Sequence, residues 1–304
     1  MTPSIVCGID ASPQAHQGLN LASLLAERLA LRLVLVHAVP AATPDLLLTA
    51  PTRVPTNVDQ IDFVGRDTGE QLLDQAADTH DVTGDERRLE IGNAAERLCA
   101  VAHEEQAEFV VVGSRGVGTL HSAVLGSVST AIIRDAPCPT VVVPPAMAGP
   151  PLDGDRIVCG VQDDEDGPAV TTALRLSRKL KTQVTLVHVL PAGVEVPPAP
   201  PVAAPDANSG FEDAQRHALQ SMRSLLEHAS SDRRGEDEQH RIRFRRGDPT
   251  RQLLELAAST EAVLLVVGSR RRGTLRAGLL GSVSRELVRN ADRPVVVCRR
   301  KPPT

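Results

Sequence analysis

Gly113-Ser114-Arg115-Gly116, nine residues, and then Gly126-Ser127 make up the segment of this chain whose residue types and spacing could do chemistry. It follows the apolar run Phe109–Val112, read as a strand, and precedes a helix expected over Ser127–Asp135. Glycines allow positive φ and close approach of backbone to a ligand. The N–H groups of Ser127, Val128 and Ser129 would lack intrahelical partners and lie at the positive end of that helix, with the hydroxyls of Ser127 and Ser129 as further donors. By its physics this is an anion site, suited to phosphate, and a Cβ at Gly126 would block the approach of a phosphate to the backbone. No Gly-Lys-Ser/Thr occurs, so the lysine and metal-binding hydroxyl of a P-loop are missing. On spacing alone, a glycine-rich crossover without a ligand stays equally open.

The elements that must position this loop repeat along the 304 residues. Residues 5–10 read IVCGID and 157–162 read IVCGVQ; 33–40 read LVLVHAVP and 184–191 read VTLVHVLP; VVGS stands at 111–114 and at 266–269; VLGSVS at 124–129 is matched by LLGSVS at 279–284. One domain is therefore duplicated in tandem. The domains are expected at 1–146 and 154–304, with a Pro/Gly/Ala-rich linker spanning Pro144–Asp155.

Within the first copy, strands are expected at Ile5–Ile9, Leu33–Val39, Arg87–Ile91, Phe109–Val112 and Thr140–Val143. Helices are expected from Pro13 to about Leu31, from Asp67 to Thr79, from Ala94 to Glu104 and from Ser127 to Asp135, the first capped by Ser12. Strands alternating with helices imply parallel pairing and an open doubly wound α/β sheet. Ala41–Gln60 and Pro191–Pro205 are too rich in proline for a helix or an inner strand. They read as solvated loops or as covers over a crevice at the carboxyl edge of the sheet, where such folds bind ligands.

Composition excludes several classes. Four Phe, no Tyr and no Trp leave no stacking platform for single-stranded nucleic acid and no aromatic belt for a membrane. No apolar run approaches the roughly 20 residues of a membrane span, and the N-terminus carries no secretory pattern. Residues 1–150 carry 9 basic and 18 acidic side chains, residues 151–304 carry 24 and 20. Neither balance is extreme enough to predict nucleic-acid binding from charge. Cys7, Cys99, Cys138, Cys159 and Cys298 sit at no zinc or redox spacing, so reduced thiols and a cytoplasmic location are expected.

The loop resembles that of the nucleotide-binding universal stress proteins, which carry Gly, two residues, Gly, nine residues and Gly-Ser/Thr. Gly113, Gly116, Gly126 and Ser127 match it, as do Asp10 and Ser12 after the first strand, His37 near the end of the second and Gly92 after the third. The resemblance covers both halves. It implies two five-stranded parallel sheets of strand order 3-2-1-4-5 and ATP, alone or with Mg2+, at their carboxyl edge. It implies that Gly8, Ile9 and Asp10 lie beside the adenine and that Ala38 packs on the base. Gly113, Arg115 and Gly116 would then follow ribose and phosphates, and Gly126, Ser127, Val128 and Ser129 would hold the phosphates. It further implies that the two domains pair through Thr140–Val143 and Pro294–Val297 about a pseudo-two-fold axis, with a homodimer of whole chains as an additional option.

The second copy departs from the pattern. Gln162 stands for Asp10 and Arg271 for Gly116, while Gly268, Gly281, Ser282, Val283 and Ser284 are retained. Arg270, Arg271, Arg272 and Arg276 either leave the loop unable to close on ATP or grip its phosphates instead. His37 and His188 are read as packed, hydrogen-bonded side chains, and His121 as solvent-exposed. With no lysine and no evident general base, a regulatory ATP-binding protein of the stress response is expected, without nucleic-acid or membrane partners. A slow ATP hydrolase and a ligand-free interaction scaffold are the alternatives.

Overall fold

The computed structural model describes residues 2–41, 58–80, 86–116, 125–145, 147, 152–162, 166–190, 216, 219–225, 241–269 and 281–299; for 58–65 it describes the helical backbone alone. The two proline-rich segments lie outside these residues except at Ala41 and at Val58–Gln60, which are helical. His121 and Arg270–Arg276 also lie outside them. The chain divides into two units, Met1–Pro145 and Ala146–Thr304.

In the first unit the order is β1 Ser4–Gly8, α1 Pro13–Leu29, β2 Arg32–Val39, α2 Val58–His80, β3 Arg87–Ile91, α3 Ala94–Glu104, β4 Ala107–Gly113, α4 Ser127–Asp135 and β5 Thr140–Val143. The strands lie in the order β3-β2-β1-β4-β5, every neighbouring pair parallel. The second unit runs β6 Arg156–Gly160, α5 Gly167–Leu180, β7 Gln183–Leu190, β8 Arg241–Arg246, α6 Pro249–Ser259, β9 Leu264–Ser269, α7 Ser282–Asn290 and β10 Val295–Arg299. Its order, β8-β7-β6-β9-β10, is again parallel throughout. Each unit is thus the expected doubly wound sheet with the strand order 3-2-1-4-5.

The inner strands are apolar because helices cover both faces. Ile5, Val6, Cys7, Val110 and Val111 are fully buried in the first unit, and Ile157, Val158, Cys159, Leu264 and Leu265 in the second. Burial pushes the thiols of Cys7 and Cys298 up to about 12 and that of Cys159 well above its usual range, so all three are inert. Among the described residues no helix is long and apolar enough to cross a membrane.

Local chemistry sets the helix ends. Ser12 accepts from Ala15 N at 3.2 Å and Pro13 occupies the first position of α1. α1 stops at Ala30, which is left-handed at φ 56°, and α5 stops the same way at Lys181. Helix α2 is longer than periodicity suggests. No proline lies between Pro55 and Pro137, so nothing bars a helix from Val58, while Asp59, Gln60, Asp62 and Gly65 blur the apolar stripe of its first turns.

Candidate functional site

At the carboxyl edge of the first sheet β1 ends in Gly8, and the chain turns through Ile9 and Asp10 into α1. Ile9 N donates to Val36 O at 2.9 Å, and His37 Nδ1 lies 2.9 Å from Ile9 O, tying this turn to β2. Asp10 Oδ1 accepts from Ser12 N at 2.9 Å and from Ser12 Oγ at 2.5 Å. The carboxylate is therefore held by the same serine that caps α1. Its other oxygen, Oδ2, faces Gly116, where an added Cβ would stand 2.5 Å away.

The loop leaves β4 at Gly113. Ser114 N donates to Val143 O at 2.8 Å, and Ser114 O accepts from Gly126 N at 2.9 Å, so the two ends of the nine-residue excursion are tied together. Ser129 Oγ, buried, lies 3.1 Å from both Ser114 O and Gly126 O. That hydroxyl is committed to carbonyls of the loop, which corrects its expected role as a free donor; Ser127, by contrast, is exposed. Gly126 is the N-cap of α4 and no side chain caps this helix, so its first N–H groups are left for solvent or an anion. None of Gly113, Gly116 and Gly126 has positive φ; only Gly92, Gly154 and Gly247 do among the described glycines. The three loop glycines are required by crowding. A Cβ at Gly113 would meet Gln14 Cβ at 2.9 Å, and one at Gly126 would meet Ser114 O at 3.2 Å. The Cβ of Gly126 would thus point into the loop itself, contrary to the expectation that it blocks a phosphate.

These segments enclose a cavity of about 430 Å³, within the ~300–1,000 Å³ of small-molecule pockets. Gly8, Ile9, Asp10, Ala38, Gly113, Arg115, Gly116, Ser127, Val128 and Ser129 all line it, whereas Gly126 does not and lies against Ser114 O and Ser129 Oγ. Val36, Ala94, Leu98 and Val112 complete an apolar wall. They obey ordinary core periodicity, so nothing in the sequence marks them. Among the described residues Arg115 has no ionic partner and is the cation lining the cavity, and Val128, 39% exposed, is the large apolar side chain most open to water.

In the second unit the corresponding cavity measures about 70 Å³ and is lined by Gln162, Gly268, Gly281, Ser282, Val283 and Ser284 among others. A side chain that sequence reasoning missed lines it as well. Asp166 is the N-cap residue of α5 but makes no side-chain cap; its Oδ2 accepts from Gln162 N at 2.7 Å, and its Oδ1 crowds the Cα of Gly268. Asp166 is only 4% exposed. Within the run Asp163–Asp166 it reads as solvated charge. The second unit thus has a carboxylate near the turn that Gln162 leaves uncharged, but it faces Gly268, the counterpart of Gly113, where Asp10 faces Gly116.

His37 and His188 each set Nδ1 on a backbone carbonyl, at 2.9 Å from Ile9 O and 3.1 Å from Val161 O, as packed histidines do. Among the described residues no group of three or more His, Cys, Asp or Glu side chains could hold a metal.

Comparison with known proteins matches residues 1–144 and 154–299 to the Universal stress protein family. A universal stress protein of Mycobacterium tuberculosis strain H37Rv is 29% identical over 301 residues, covering 97% of this chain and 96% of that one. One from Mycolicibacterium smegmatis is 30% identical over 232 residues, covering 75% and 73%. The crystal structure of a universal stress protein from Archaeoglobus fulgidus covers 98% of both chains with a TM-score of 0.64 at 15% identity.

Proposed function

The chain belongs to the universal stress protein family, and from that premise we propose that it is an ATP-binding regulatory protein of the stress response whose first unit holds the nucleotide. The observation that carries this reading is the cavity of about 430 Å³ whose wall gathers the ends of β1, β2 and β4 and the first turn of α4. Its apolar side, Val36, Ala38, Leu98 and Val112, suits the faces of a base. Arg115 and the uncapped start of α4 suit phosphates. Asp10, oriented by Ser12, offers a hydrogen-bond acceptor to a polar edge.

Binding is proposed rather than turnover. The carboxylate nearest the loop accepts two hydrogen bonds from Ser12, Ser129 is spent on loop carbonyls, and the Nδ1 of His37, which also lines the cavity, is set on Ile9 O, so these groups are engaged in holding the fold of the site. Slow hydrolysis and a ligand-free scaffold are read out by the same experiment. Nucleotide is extracted from the purified chain and identified, and the apo chain is then titrated with ATP by calorimetry. Saturable heat with ATP recovered intact supports binding. Accumulating ADP at a rate that Arg115→Ala lowers assigns hydrolysis. No heat at millimolar ATP removes the nucleotide reading.

A further inference from the structure

The outer strand of the second sheet, β8, reads Arg-Ile-Arg-Phe-Arg-Arg, and its four arginines are exposed. Arg241, Arg243 and Arg245 pair in register with Thr185, Val187 and Val189 of β7 and so share one face of the sheet. At a rise of about 3.3 Å per residue their side chains leave the strand roughly 6.6 Å apart. Among the described residues no hydrogen bond or ion pair engages these three guanidinium groups.

The first unit shows what a neutralised version looks like. The counterparts of the three arginines are Glu86, Arg88 and Glu90, of alternating sign. Arg88 is bonded to Glu105 at 2.5 Å, Glu90 lies 3.9 Å from Arg97, and Arg87 is paired with Asp74. In the second unit the positions of Glu105 and Arg97 are held by Thr260 and Gln252. Both acids of the row have become arginine, and the acid that neutralised the middle position has gone. Three like charges in a row with no counter-charge among the described residues repel one another, and an added anion relieves that repulsion.

We propose that β8 is a docking edge for an extended acidic segment of a partner protein, which adds to the sheet as a further strand and sets alternate carboxylates on Arg241, Arg243 and Arg245. Among the described residues no strand pairs on the outer side of β8, so its backbone donors and acceptors on that side stand ready for main-chain pairing. The spacing of alternate residues in an added strand equals that of the arginines, which supplies register as well as attraction. Nucleic acid is the less suitable polyanion. The chain has no Tyr or Trp for base stacking, and a strand at a sheet edge presents its arginines in a line rather than in a groove.

The test uses the full chain and a fluorescein-labelled short peptide of alternating Glu and Val, followed by anisotropy. The peptide binds, and binding weakens at least about fivefold between roughly 50 and 300 mM salt. Arg243→Ser with Arg245→Ser weakens it by about tenfold or more while leaving the thermal melt in place, since both side chains are exposed. The same peptide with its glutamates grouped, or with alternate backbone amides methylated, binds at least about fivefold less tightly because it cannot pair as a strand. Absent binding, equal binding of the methylated peptide, unchanged affinity in the double variant, or an oligothymidylate of equal charge binding as tightly would each overturn the proposal. In the last two cases β8 carries charge only to keep its edge soluble or to hold a nucleic acid.

Discussion

Gly116 and Asp10 meet at a distance that leaves no room for a methyl group: an ideal Cβ on Gly116 would lie 2.5 Å from Asp10 Oδ2. Since Ser12 holds the other carboxylate oxygen, Asp10 cannot yield without releasing the cap of α1 or the turn after β1. Gly116→Ala should therefore displace the loop or the carboxylate and lower ATP affinity about tenfold or more, with little change in melting temperature, because Gly116 is exposed and outside the core. Calorimetry beside a thermal melt checks it; unchanged affinity would show that Gly116 and Asp10 are not part of one site. At the far edge of the same sheet, Glu105 is bonded to Arg32 at 2.7 Å and to Arg88 at 2.5 Å, and its own side chain is 8% exposed. The hydrogen bond from Arg32, ahead of that from Arg88, holds its carboxyl below the usual carboxylate range. A depressed folded value means that the stabilisation is complete above the ordinary carboxylate pKa of about 4.3 and is lost as pH falls below it. Glu105→Gln should then cost about 1–3 kcal/mol at pH 7, since both arginines still reach water. That deficit should shrink as denaturation is followed into acid; a deficit independent of pH would mean that the charge is irrelevant.

At the scale of elements, α3 does two things: it covers the sheet with Leu98, Val101 and Ala102 and lends Ala94 and Leu98 to the cavity wall. Its start depends on Asn93, whose side chain accepts from Ala95 N at 3.0 Å and Glu96 N at 3.3 Å. Asn93→Ala should cost about 1 kcal/mol. The amides of Leu98 and Val101 should then exchange with solvent about fivefold faster, since that cost lowers the free energy of opening α3. Unchanged exchange would show that packing alone holds the helix end. Elements of this kind were largely legible in the sequence. Ser12 is a cap by residue type, and the apolar runs of β1, β2 and β4 are strands by length. The start of α2 was not legible, because Asp59, Gln60, Asp62 and Gly65 leave no clean apolar stripe in its first turns. Nor was the Glu105 clasp, because its arginines lie 73 and 17 residues away in the chain. At the site, glycine spacing identified the loop, but it misassigned the reason for the glycines. Their crowding against Gln14, Asp10 and the Ser114 carbonyl is a tertiary fact that no local pattern records.

Across the whole molecule, one pattern has been copied and then allowed to diverge, so each unit serves as a control for the other. Both keep the strand order, the left-handed stop after the first helix, and an uncapped helix of nine residues after the loop. They differ where a nucleotide would sit. The first cavity is about 430 Å³ and the second about 70 Å³, below the size of a nucleotide site. In the first, the carboxylate of Asp10 is drawn aside by Ser12. In the second, Asp166 is buried against Gly268, at the strand end from which the loop departs. A phosphate group within roughly 5 Å of that carboxylate would be repelled by about 3 kcal/mol per unit charge at an effective dielectric constant near 20, more than a hundredfold in affinity. The full chain should therefore take up one ATP at physiological salt. Asp10→Ala with Arg115→Ala should abolish that uptake, whereas Gln162→Ala should leave the stoichiometry at one. Asp166→Asn, which removes the repulsion without changing the shape, should allow a second, weaker and salt-sensitive ATP to be detected. Two equal sites in the unaltered chain, insensitive to salt, would show that neither the smaller cavity nor the buried Asp166 distinguishes the units.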